Sequence, residues 1–222
     1  MRIRCFFLAL ILSTSSLFCF AEHTSKMHLT RVILTVSDNP DHLSFWPIMA
    51  KSWSQFTGVI PTLIVVGNRE DVKVDESLGE VFYFDPIRGY PTSYQARATR
   101  LLFPSLFRDD VCIILDIDQA SLNSSYFSES LEKYDNNCLV LYQEFINTTT
   151  NNEFVNCCIV GKGSIFQEIF GVRTLDEIQL LLTECEECQF PLHRSTIDQY
   201  LLHDYVTNWI GFPNRIVRLS ID

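Results

Sequence analysis

Apolar positions along this chain switch repeatedly between strand-like runs and helical spacing. Residues 31–36 read as a strand. Asp41 then caps a helix in which Phe45, Ile48, Met49, Trp53 and Phe56 recur at helical intervals until Gly58 stops it. Residues 62–66 and 81–84 are short β-branched or aromatic runs, separated by an acidic stretch, 68–80, that reads as a solvated connection. Gly89, Tyr90 and Pro91 form a loop, and Ser93 opens a helix that should end near Phe103, because Pro104 disfavours helical geometry in the residue before it.

The next run, Val111-Cys112-Ile113-Ile114-Leu115, is apolar without alternation, as in a central parallel strand covered on both faces. It is the fourth strand. A short helix over 126–134, strands over 138–142 and 154–160, and a helix begun by Ser164 follow. Thr174 and Glu177 then stand in capping-box spacing ahead of Ile178, Leu180, Leu181 and Leu182. A last helix over 197–206 and a strand over 215–219 complete the alternation. The pattern predicts one α/β domain, Rossmann-like, with a mostly parallel central sheet flanked by helices.

Composition agrees with a single folded domain, since 47% of the 222 residues are hydrophobic. The amino terminus is different. Arg2 and Arg4 precede an apolar run from Cys5 to Leu12, and Cys19-Phe20-Ala21 offers a small-residue exit. Residues 1–21 therefore read as a signal peptide, 22–29 as a polar leader and 30–222 as the domain, which predicts export through the secretory route. The alternative is an uncleaved membrane anchor, because residues 17–20 prolong the apolar stretch. Removing Arg2 and Arg4 from the 17 basic residues leaves 15 against 27 acidic ones, a net charge of about −12. Such a surface repels polyanions and argues against a nucleic-acid partner.

Six cysteines remain after residue 21. Cys112, Cys138 and the Cys157-Cys158 pair sit in apolar strand-like runs, where a buried free thiol is expected. Cys185-Glu186-Glu187-Cys188 has metal-knuckle spacing, but no second pair completes a tetrahedral zinc site, so a local disulfide or none is expected there. Asn123-Ser124-Ser125 and Asn147-Thr148-Thr149 are glycosylation sequons, relevant only in a host that glycosylates.

Candidate chemistry concentrates after the fourth strand. Residues two apart in an extended chain point the same way, so Asp116 and Asp118 offer two carboxylates to one spot at the sheet's carboxyl edge. Hard oxygen donors of this kind suit Mn²⁺ or Mg²⁺, with water and a substrate diphosphate filling the other positions. Two aspartates capping a turn would give the same pattern.

The run Tyr94-Gln95-Ala96-Arg97-Ala98-Thr99-Arg100-Leu101-Leu102-Phe103-Pro104, followed by Ser105-Leu106-Phe107, the strand and Asp116-Ile117-Asp118, resembles the central block of GT-A-fold nucleotide-diphospho-sugar transferases. In those glycosyltransferases an arginine-bearing helix precedes a metal-binding Asp-x-Asp motif. The resemblance runs from about Thr30 to Leu219 and is most specific in this block. It implies a metal-dependent transfer of a sugar from a nucleoside diphosphate donor to a glycan, protein or lipid acceptor. Asp116 and Asp118 would meet the metal and the diphosphate, with Gln95, Arg97, Arg100 and Ile117 beside them on the donor side. Thr35, Ser37 and Asp38, at the end of the first strand, would lie near the nucleoside. Asp198, at the start of the last helix, stands where similar transferases carry an acid next to the acceptor. It is the candidate catalytic base, the competing reading being a first-turn acid favoured by the helix dipole.

Asn156 and Gly161-Lys162-Gly163 mark a second expected contact region, since backbone amides at a helix start attract anions. The fold commonly adds a metal-ligating His beyond the last core strand. Here the sequence reaches Asp222 soon after Leu219, and the nearest candidates are His193 and His203. Two other functions use the same residues. An exported, non-catalytic member of the fold would bind a glycan or a protein. A haloacid-dehalogenase-like phosphatase would use Asp116 as nucleophile, but there the motif ends the first strand.

Overall fold

A computed structural model of the chain describes residues 25–56, 58–121, 123–143, 158–187 and 197–220. The signal-peptide reading, the sequon at Asn147 and the candidates Asn156, Cys157, Cys188 and His193 lie outside the described residues. Among the described residues no helix is long and apolar enough to cross a membrane.

Among the described residues seven strands form one sheet: β1 Arg31–Ser37, β2 Ile60–Val66, β3 Glu80–Phe84, β4 Val111–Leu115, β5 Leu139–Gln143, β6 Cys158–Lys162 and β7 Ile216–Ser220. Their spatial order is β3-β2-β1-β4-β6-β5-β7. The first four are mutually parallel, β6 is antiparallel to both β4 and β5, and β7 is parallel to β5. Among the described residues seven α-helices accompany them: α1 Pro40–Leu43, α2 Trp46–Phe56, α3 Thr92–Leu102, α4 Ser124–Leu131, α5 Gly163–Phe170, α6 Leu175–Glu187 and α7 Ile197–Asn208.

The sheet is buried on both faces, which explains why its central strands show no alternation. Ile33, Ile64 and Ile114 face a core shared with α3, α5, α6 and α7, where Phe103, Phe166 and Leu202 are fully enclosed. Val32, Leu34, Leu63 and Ile113 face the opposite core, filled by Trp46 and Trp53 of α2 and Leu131 of α4. The predicted capping box closes as its spacing requires: Glu177 N–H donates to Thr174 Oγ1 at 3.2 Å, and Thr174 N–H donates to Glu177 Oε2 at 3.1 Å.

Two expectations are corrected here. The single helix begun by Asp41 is two helices: Asn39, not Asp41, caps α1, and the chain turns at Ser44 and Phe45 before α2 starts with Pro47 in its first turn. The break rotates the register. Met49 and Trp53 are buried, as periodicity requires, but Phe45 and Ile48 are 39% and 63% exposed. The second correction concerns Gly161-Lys162-Gly163. Because β6 runs antiparallel to β4, this turn lies beside the start of β4, with Gly163 N–H donating to Asp110 O at 2.8 Å. That is the opposite edge of the sheet from Asp116, so the turn is no second contact region for a ligand there.

Gly163 has its own structural reason. A Cβ at this position would stand 2.1 Å from Phe107 O and 2.6 Å from Pro104 O, so any side chain must push backbone. Gly163→Ala is expected to destabilise the protein by about 2 kcal/mol. That corresponds to a midpoint roughly 6 °C lower on thermal unfolding. An unchanged midpoint would contradict the close approach.

At the same edge Arg31 donates to Asp110 at 2.7 Å and to Glu80 and Thr62 at 2.6 Å, with its guanidinium over the Phe107 ring. Burial works against its charge, but the two carboxylates outweigh burial and hold the group above its ordinary range. Cys112, Cys138 and Cys158 are free thiols, and burial pushes Cys112 far up.

Candidate functional site

At the carboxyl ends of the parallel strands the topology opens a crevice. From β1 the chain proceeds outward to β2 and β3, then crosses back to place β4 on the other side of β1. Loops leaving β1 and β4 therefore diverge, which is where open α/β sheets bind ligands. A cleft of about 510 Å³ lies there, a volume suited to a small molecule.

Thr35, Val36 and Ser37 bring the end of β1 to its floor, and Asp116, Ile117 and Asp118 bring the end of β4. A turn shapes the acidic segment: Gln119 N–H donates to Asp116 O, and Asp116 N–H donates to the Gln119 side chain, both at 3.1 Å. Ile117 turns inward at 9% exposure, leaving the neighbouring aspartates exposed. From beneath, α2 braces this loop. Trp53 Nε1 donates to Gln119 O at 3.3 Å and Ser52 Oγ to Ser121 O at 2.6 Å.

The second wall is α3, which packs on β1 and β2 through Ala96, Ala98, Leu101 and Leu102. Arg97 and Arg100 stand three residues apart, so both reach the same face and line the cleft. Arg100 is buried. One of its terminal nitrogens pairs closely with Asp116 Oδ1, and the other donates to Asp198 Oδ2 at 2.5 Å. Asp198, in the first turn of α7, is itself buried, and its Oδ1 accepts from Gln199 N–H at 3.0 Å. Asp116 remains half exposed.

Eight of the expected site residues thus meet at the cleft: Thr35, Ser37, Arg97, Arg100, Asp116, Ile117, Asp118 and Asp198. Two do not line it. Asp38 accepts from Thr92 Oγ1 at 2.8 Å, tying the β1 loop to the start of α3. Gln95 is fully buried, accepts from Ile87 N–H and donates to the carbonyls of Ile87 and Tyr90, which pins the loop ahead of α3. The sequence reading missed His42, Phe45, Ser93 and Gln199, all of which line the cleft. Helical spacing groups Phe45 with Met49 and Trp53; Pro47, two residues later, is the available sign of a helix break. Gln199 carried no signal beyond its place after Asp198.

Among the described residues no group of three or more His, Cys, Asp or Glu side chains is arranged to hold a metal ion. His203 does not line the cleft.

By sequence, the chain matches no family profile and no curated protein. By structure it superposes on a galactosyltransferase, LgtC, in complex with donor and acceptor sugar analogs: TM-score 0.52, 13% identity, 85% of this chain and 73% of that one. The chain has the GT-A glycosyltransferase fold. An active-site variant of LgtC gives a TM-score of 0.53 at 13% identity, over 85% of this chain and 72% of LgtC. The glycosyltransferase GlyE of Streptococcus pneumoniae gives 0.51 at 11% identity, over 87% of this chain. This GT-A domain spans only 45% of the GlyE chain.

Proposed function

We propose that this protein transfers a sugar from a nucleoside diphosphate donor to an acceptor, with Mn²⁺ or Mg²⁺ assisting at Asp116 and Asp118. The observation that carries the reading is the convergence of Asp116, Asp118, Arg97 and Asp198 in one cleft at the switch point of a GT-A sheet. LgtC, of the same fold, was solved with donor and acceptor sugar analogs, which supports the donor and acceptor classes proposed here.

The donor set fits a hard divalent ion. Asp116 and Asp118 supply carboxylate oxygens, and ions of this type complete their shells with water and diphosphate oxygens. Charge supports the same reading. Three carboxylates and two guanidiniums line the cleft, so an entering diphosphate meets net negative charge unless a cation accompanies it. When bound, the ion would neutralise charge building on the departing nucleoside diphosphate. Arg97 lies where its planar fork could pair phosphate oxygens. Thr35, Val36 and Ser37, with Phe45 and His42, also line the cleft and are proposed to hold the nucleoside.

Asp198 is assigned a different part from the general base expected from sequence. One of its oxygens already accepts from Arg100 and the other from Gln199 N–H, so the carboxylate is built into the wall as a partner of Arg100. The phosphatase alternative is disfavoured by the same geometry, because Asp116 ends the fourth strand and is paired with Arg100.

Thermal unfolding with UDP or GDP, with manganese or with chelator, tests the proposal directly. A nucleotide at a hundred times its Kd adds about 2.7 kcal/mol. In a domain of this size the midpoint should rise by roughly 5–10 °C with manganese and far less with chelator. A flat response to both nucleotides would defeat the transferase reading and leave the fold to a non-catalytic binding role.

A further inference from the structure

The ion-paired chain Asp116–Arg100–Asp198 joins helix α3 and the loop after β4, which are near neighbours in sequence, to the first turn of α7, 98 residues beyond Arg100. Arg100 is enclosed at 6% side-chain exposure, and both of its terminal nitrogens are engaged with carboxylates. Of the guanidinium's other N–H groups, that on Nε is buried without a hydrogen-bond partner among the described residues. A guanidinium engaged in this way does not present the free fork that bidentate phosphate binding requires.

We infer that Arg100 is a positioning residue rather than a donor-phosphate ligand: it draws one oxygen of Asp116 into the wall, and Asp198 holds Arg100 in place from α7. The inference rests on the donor-site reading above and deepens it. Asp116 Oδ1 accepts from Arg100, and the carboxylate so oriented would offer its remaining lone pairs to a divalent ion. Asp198 has a second anchor in Gln199 N–H, and this fixes the far end of the lock to the backbone of α7. Loss of either end frees the Asp116 carboxylate to rotate. A ligand displaced by about 1 Å costs on the order of a hundredfold in a well-aligned site.

The test compares wild type with Arg100→Met, Arg100→Lys and Asp198→Asn by calorimetry, using UDP and inorganic diphosphate with manganese or with chelator. If Arg100 only positions, binding of either probe in chelator is the same in Arg100→Met as in wild type. The affinity gained on adding manganese is then cut about 10–100-fold, the range for partners that orient metal ligands. Asp198→Asn gives the same selective loss although it is not a cation, and Arg100→Lys recovers part of it. A metal-free affinity for diphosphate that falls in Arg100→Met and holds in Asp198→Asn overturns the inference, because it makes Arg100 a phosphate ligand. Wild-type protein that binds neither UDP nor GDP with manganese would sink the donor-site reading instead. The lock is then judged on thermal unfolding of Arg100→Met, Asp116→Asn and the double variant. Midpoint losses that fail to add support it, and additive losses overturn it.

Discussion

Asp118→Asn is expected to lower sugar transfer about a thousandfold while moving the unfolding midpoint by no more than about 2 °C. Asp118 is an exposed residue of the cleft, so its replacement by an isosteric amide strands no buried partner, and surface changes of this kind stay within about 0.5 kcal/mol. The chemical loss is larger, because a metal that polarises a leaving group contributes several kcal/mol, and each 1.36 kcal/mol is tenfold in rate. Asp116→Asn should differ in kind. It removes one of the two carboxylates on buried Arg100, so it is expected to lower stability as well as activity. Donor turnover measured over a manganese titration, beside circular-dichroism melting curves, separates the two variants. An Asp118→Asn protein that keeps wild-type turnover would remove the metal from the mechanism.

The second large effect is structural and begins on the other side of the sheet. Trp53→Ala is expected to cost about 3–5 kcal/mol and to lower the midpoint by roughly 10 °C. The indole is 1% exposed and packs 5.5 Å from the Phe127 ring. Its N–H also donates to Gln119 O, the residue that closes the turn carrying Asp116 and Asp118. Truncation therefore leaves a cavity under the acidic loop and removes one of its two braces from α2. Ser52→Ala removes only the other, its hydrogen bond to Ser121 O, at a cost of about 1 kcal/mol. Melting curves for both variants decide the ranking. Equal midpoints for Trp53→Ala and Ser52→Ala would mean that the indole contributes no more than a hydrogen bond.

The sequence by itself determined the α/β class, the strand count, the buried central strand ending in Asp116 and the capping box of α6. Each of these depends on local periodicity or on residues a few positions apart, and local spacing is written directly in a chain. It also brought forward eight residues that meet in one cleft: five lie close together in the arginine-bearing helix and the acidic turn, and Thr35, Ser37 and Asp198 came from the resemblance to GT-A-fold transferases. What the sequence could not supply depends on pairings between distant elements. That β6 runs against β4, carrying Gly161-Lys162-Gly163 to the far edge, follows from sheet pairing across the whole domain. The partnership of Arg100 with Asp198 spans 98 residues, and no periodicity reports a contact at that range. Helix spacing groups Phe45 with Met49 and Trp53, but the turn between α1 and α2 places it in the lining of the cleft. Tertiary structure alone decided that Arg100, beside the acidic turn, is committed to Asp116 and Asp198. The reason is physical: a charge's role is set by the groups packed within a few ångströms of it, and those neighbours are assembled by the fold.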